Sequence, residues 1–227
     1  SQWSTITAPG ADDNATGIAA ILEIARILAD PANNFDHAVT LKFIAFGAEE
    51  SGPAYSGSHH GSRHYAKYAK ENNHNVLGMV SIDMIGFNPS FDYQSIVSNN
   101  ASVSFAEQFI DANDIFSIDL ILEGPPFPYG SYSDHDTFWD EGYPAVLFIE
   151  NGPPWNSNQY YSANPYYHKS SDTYETLNME LVTKVTKLNL AAFAAFSGPL
   201  TDAAETESTI PEEYSLSQNY PNPFNPT

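Results

Sequence analysis

The chain has 227 residues and 42% hydrophobic side chains, enough to bury a sizeable core, so wholesale disorder is excluded. Eight Lys and Arg stand against 28 Asp and Glu, a formal net charge of -20, and phosphate backbones and anionic lipid surfaces would repel such a surface. Nucleic acid and membranes are therefore not expected partners. With no Cys there is no disulfide, thiol nucleophile or cysteine metal site, so any metal must be held by carboxylates and imidazoles.

The first residues, Ser1-Gln2-Trp3-Ser4, carry no signal-peptide pattern and no initiator Met, and the chain reads as a piece of something longer. Ile18, Ile21, Leu22, Ala25 and Leu28 recur at helical spacing before Pro31, with Asn14 or Thr16 as the candidate cap. Residues 39–46 read as a mostly buried strand and residues 55–70 as a helix. Strands are expected at 76–82, 95–97, 117–122 and 145–149, and helices at 102–111 and 179–196. This alternation predicts an α/β domain with a mainly parallel central sheet, whose ligands bind beyond the carboxyl ends of the strands. From Leu200 the composition turns acidic and then proline-rich, which reads as a linker and an irregular tail that proteases should cut first.

Acidic residues fall where ligands are expected. Glu49 and Glu50 follow the 39–46 strand, Asp83 follows the 76–82 strand, and Asp12 and Asp13 stand at the mouth of the first helix. Carboxylates converging on one rim repel one another unless a cation lies between them, and no Lys or Arg occurs within these motifs. Two metals about 3.5–4 Å apart, bridged by one carboxylate, would resolve this. Of seven His, His168 is the best ligand candidate, with Asp172 as an acceptor for its other ring nitrogen. Each motif also has a plainer reading: Asp12 and Asp13 as helix caps, Glu49-Glu50 as a solvated turn, Asp83 as a strand-end turn, His168 as a surface residue. His59, His60 and His64 lack the glutamate of a zinc-protease helix and read as an exposed helix face. Ser133-Asp134-His135 cannot form a triad from consecutive residues and reads as a helix entry beside the substrate. Residues 125–129 and Trp155 are candidates for an apolar side-chain pocket.

Six segments in order carry a resemblance: Pro9-Gly10-Ala11-Asp12-Asp13-Asn14, Ala48-Glu49-Glu50, Gly57-Ser58, Asp83-Met84-Ile85-Gly86, Ser133-Asp134-His135, and His168 with Asp172-Thr173. From about Ala8 to Phe196 the chain resembles the secreted bacterial di-zinc aminopeptidases, metallopeptidase family twenty-eight. The resemblance implies a three-layer α/β/α zinc exopeptidase fold with its N-terminal part missing, and two Zn2+ ions. It makes Asp13 the bridging ligand, Glu50 and His168 the further ligands of one ion, Asp83 a ligand of the other, Glu49 the general base and Tyr167 the oxyanion donor. It also implies one more His ligand upstream of Asp13, where this sequence has none, so the second site is expected to be incomplete and the activity of the piece low. Substrates would be peptides with a free N-terminus; Glu49 and Glu150 are amine-anchor candidates by charge alone. A glutaminyl-cyclase-like acyltransferase is one alternative, disfavoured by Asn14 where that relative has Ser and by Ala48 where it has Gly. A non-catalytic binding module on the same fold is the other. Residues 215–227 are similar to the opening of the C-terminal sorting domain of the type nine secretion system, which implies a secreted or cell-surface protein handled by that machinery. The expected organisation is a catalytic domain over 1–198, an acidic linker over 199–214 and the start of the sorting domain over 215–227.

Overall fold

The computed structural model describes residues 9–50, 57–124, 132–151 and 157–198. The tail from residue 199, the 125–129 loop, Trp155 and the segment before residue 9 lie outside them. Helix α1 spans Gly17–Ala29, α2 His60–Glu71, α3 Val103–Ile115, α4 His135–Asp140 and α5 Met179–Phe196. Strands are β1 Met79–Ile82, β2 Tyr93–Ser98, β3 Ile121–Glu123 and β4 Ala145–Ile149.

The strands form one sheet in the order β1-β4-β2-β3. The β1–β4 and β2–β3 pairs are parallel, and β2–β4 is antiparallel, with Ile82 opposite Phe148 and Ser95 opposite Ile149. The alternation of β4 builds the layers, because successive side chains leave opposite faces of a strand. Val146 and Phe148 pack with α1, α3 and α5 through Ile24, Phe109, Leu181 and Leu188. Leu147 and Ile149 join Val97 and Trp139, while Ala145 meets Ala66 and Phe138 of α2 and α4. The result is an α/β/α sandwich with β4 fully buried at its centre.

Three expected elements start later than their composition suggests, the 55–70 helix beginning at His60 with 57–59 outside it. The 76–82 run pairs only from Met79, where the Met79 amide bonds the Pro144 carbonyl. The 117–122 run begins with left-handed Ser117 and Asp119, so pairing starts at Ile121. Residues 39–46 are not a strand: no ladder reaches them. Apolar side chains still anchor the segment, Leu41 on the main core and Phe46 against Tyr65 and Phe138. A groove of about 1050 Å³ is lined by residues 39–44 and 74–80 together with α3 and α5 side chains. None of the candidate site residues lines it.

Candidate metal centre

The parallel β1 and β4 bring their carboxyl ends to the same edge, placing Asp83 and Glu150 side by side just past the sheet. Asn14 fastens the Ala11–Thr16 turn onto this edge. Its Nδ2 donates to the Ile82 carbonyl (2.9 Å), and its Oδ1 accepts from the amides of Gly17 (3.1 Å) and Met84 (3.2 Å). The expected Asn14 cap is thus present, and it also bonds β1. Only glycine fits at position 17, since a Cβ there would lie 2.1 Å from the Ile82 oxygen. Asp13 stands in the middle of the turn, where φ -105° and ψ 88° break the helical path.

Asp172 takes a place that sequence reasoning did not give it. Its carboxylate accepts from the amides of Asp12 (2.9 Å) and Asp13 (3.1 Å), and so holds the turn instead of the His168 ring. Because Asp172 lies four residues after His168, this contact draws the His168 loop onto the Asp13 turn. His168 adopts a left-handed φ of 57°. Its Nε2 lies 2.7 Å from Glu50 Oε1 and 3.2 Å from Asp13 Oδ2.

Asp13, Glu50 and His168 offer three ligand atoms that all lie within 4.8 Å of one another. Hydrogen bonding to the Asp13 and Glu50 carboxylates pushes the His168 pKa up to about 10, against a smaller downward pull from burial. One imidazole and two carboxylates are a donor set that suits zinc. Asp83 adds a second sign of fit. It is buried, Ser133 donates to its Oδ2 (2.8 Å), and its Oδ1 has no hydrogen-bond partner among the described residues. Burial first, then the charges of Asp13 and Glu49, push its pKa well up. A carboxylate aimed at nothing, beside two others, is a group that a cation would satisfy.

Tyr167 stacks on the His168 ring at 3.8 Å. Burial raises its pKa, and the charges of Glu50 and Asp13 add to the rise, so the phenol stays a proton donor. Glu49 does not join the three-donor group; its Oε1 faces His59 Nε2 at 3.1 Å. Here the expected exposed helix face fails: His59 is 5% exposed and lies between Glu49 and Asp136. His64 does face solvent. Ser133-Asp134-His135 enters α4, with Ser133 bonded to Asp83 and His135 packed edge-on against Trp139.

Asp12 and Glu150 form a separate interior network. Asp12 accepts from the Gly86 amide (2.7 Å) and from Asn164 (3.2 Å), and burial pushes its pKa up to about 6. Glu150, fully buried, bonds Tyr161 and Asn164. Burial, reinforced by the Asp12 charge, raises its pKa well above the carboxylate range. Its contacts lie in this interior network, and it is not one of the three donors that converge at His168.

Three comparisons place this architecture. The chain is 26% identical over 185 residues to aminopeptidase YwaD of Bacillus subtilis, covering 81% of this chain and 37% of that protein. It is 29% identical to leucine aminopeptidase 1 of Uncinocarpus reesii, covering 82% and 46%. The crystal structure of the LapA aminopeptidase of Legionella pneumophila superposes with a TM-score of 0.66 at 26% identity, over 85% of this chain and 48% of that one. The chain thus spans less than half the length of these relatives. The family profile described as Peptidase family M28 matches residues 3–193, and with the Asp13 turn, the Glu49-Glu50 pair, Asp83 and His168 on one edge of its sheet, the chain belongs to that family.

Proposed function

We propose that this chain forms the catalytic part of a secreted, zinc-dependent aminopeptidase that hydrolyses the N-terminal bond of peptides and proteins. The observation that carries the reading is the meeting of Asp13, Glu50 and His168 within 4.8 Å, beside the buried, half-satisfied Asp83. Asp13, Glu50 and His168 would hold one ion, and Asp83 would take part in holding a second. Zinc, when bound, supplies a Lewis acid for the scissile carbonyl and a nucleophile from water at neutral pH. Glu49 accepts a proton from the attacking water and returns it to the leaving amine. Tyr167, kept protonated, donates to the oxygen that gains charge as the carbonyl becomes tetrahedral. The acidic surface favours a substrate that arrives with a protonated amine. Residues 1–198 form the catalytic unit, 199–214 link it, and 215–227 engage the secretion machinery.

The test is hydrolysis of amino-acid anilides before and after chelation, with zinc added back. Turnover that survives exhaustive chelation refutes the metal mechanism. Zinc titration into this chain should give one tight site and a second, weaker one, because only one set of three donors converges among the described residues. Two equally tight sites would mean that another His completes the Asp83 site. Ammonia release from a glutamine-initiated peptide, without anilide hydrolysis, would favour the glutaminyl-cyclase reading instead.

A further inference from the structure

Beside the three converging donors, Glu49 sits in a cluster with His59 and Asp136, and these last two remain without a role. His59 sits immediately before α2 in the left-handed conformation, φ 56°. That turn aims three of its groups at once. Its amide donates to the Glu49 carbonyl (2.7 Å), its Nε2 lies 3.1 Å from Glu49 Oε1, and its Nδ1 lies 3.0 Å from Asp136 Oδ1 on α4. Burial pulls the ring toward neutrality, but the bonds to Asp136 and Glu49 outweigh it and push its pKa up to about 10. With a carboxylate oxygen within hydrogen-bond distance of each ring nitrogen, the geometry calls for a proton on both. Asp134 and Asp83 are further acidic groups whose fields reach this cluster. Arg63, the nearest cation in sequence, is taken up by Asp140 (3.1 Å).

A glutamate side chain has three rotatable bonds, and one that receives and returns a proton must stay within hydrogen-bond reach throughout. His59 removes that freedom at two points, the Glu49 carbonyl and Oε1, leaving Oε2 for the proton. Asp136 in turn fixes which way the ring points, as an outer partner does for a metal-ligating histidine. We infer that His59, oriented by Asp136, is a positioning residue that fixes the Glu49 carboxylate for proton transfer. The inference rests on the reading of Glu49 as the base. The alternative is a structural tie between α2 and α4 that turnover does not feel.

The first measurement needs neither metal nor activity. In the metal-free chain, His59 should give two slowly exchanging imidazole N–H resonances. Asp136→Asn should move chiefly the Nδ1–H signal and Glu49→Gln the Nε2–H signal. A ring with a single proton would overturn the inference. The second measurement is kinetic, on the zinc-loaded protein. His59→Ala should lower kcat by about 10- to 100-fold while KM and zinc content stay within about twofold. His59→Gln, which keeps a donor, should recover part of the loss. In a Glu49→Gln background, His59→Ala should cost nothing further, because both act through one group. Equal losses in both backgrounds, or wild-type kcat in both His59 variants, would overturn the positioning role. If His59→Ala does not fold, His59→Gln and Asp136→Asn carry the same comparison. Full turnover by Glu49→Gln would instead refute the base itself, a result distinct from the loss of the His59 effect alone.

Discussion

The two adjacent glutamates are chemically identical, yet they face different neighbours. Glu50 meets His168 and Asp13, whereas Glu49 meets His59. Glu49→Gln should therefore lower turnover by about 10²- to 10⁴-fold with zinc content unchanged, while Glu50→Gln should release zinc; rate and metal analysis on the same preparations separate the two. His59 also makes a pH statement. Its pKa is raised from an ordinary 6.5 to about 10, so the folded state keeps a proton that the unfolded chain has lost. That stabilisation is complete below about pH 6.5 and disappears as the pH rises through about 10. Urea midpoints of the metal-free chain should fall across this window, and His59→Gln should flatten the fall; His168 shifts in the same direction but is common to both proteins.

At the scale of elements, the 145–149 strand and the 179–196 helix have the bounds that their periodicity predicts. Each buries a face with no glycine, proline or charge run to interrupt it. Asn178 begins the long helix by accepting from the amides of Glu180 and Leu181, both at 3.1 Å. Asn178→Ala should cost about 1 kcal/mol, seen as a melting point lower by about 2–4 °C. Residues 39–46 carry the composition of a strand, but a strand needs a partner, and composition says nothing of who pairs with whom. The same limit governs the site. Acidic residues after strands were visible as candidate ligands because the position of each depends on a local break in periodicity. His59 was not, because its role depends on a left-handed turn and on Asp136, a residue 77 positions away. Asp172 was visible as an acid near His168, yet its partners are backbone amides, which carry no side-chain signature.

For the whole molecule, a net charge of -20 concentrates self-repulsion on a domain that already gathers carboxylates at one edge. Stability of the metal-free chain should rise between low and moderate salt, with calcium or magnesium no better than their ionic strength predicts and zinc far better; thermal melts across the four salts decide it. The Asp172 bonds to the Asp12 and Asp13 amides, which span 160 and 159 residues of sequence, have a further consequence. They close the described chain from α1 through β4 into a single ring that leaves α5 outside, and the candidate ligands Asp13 and His168 sit at its two ends. An ion bound by Asp13 and His168 would add a tie across the same closure, parallel to the Asp172 bonds, so its binding should raise the denaturation midpoint and slow the opening of the ring.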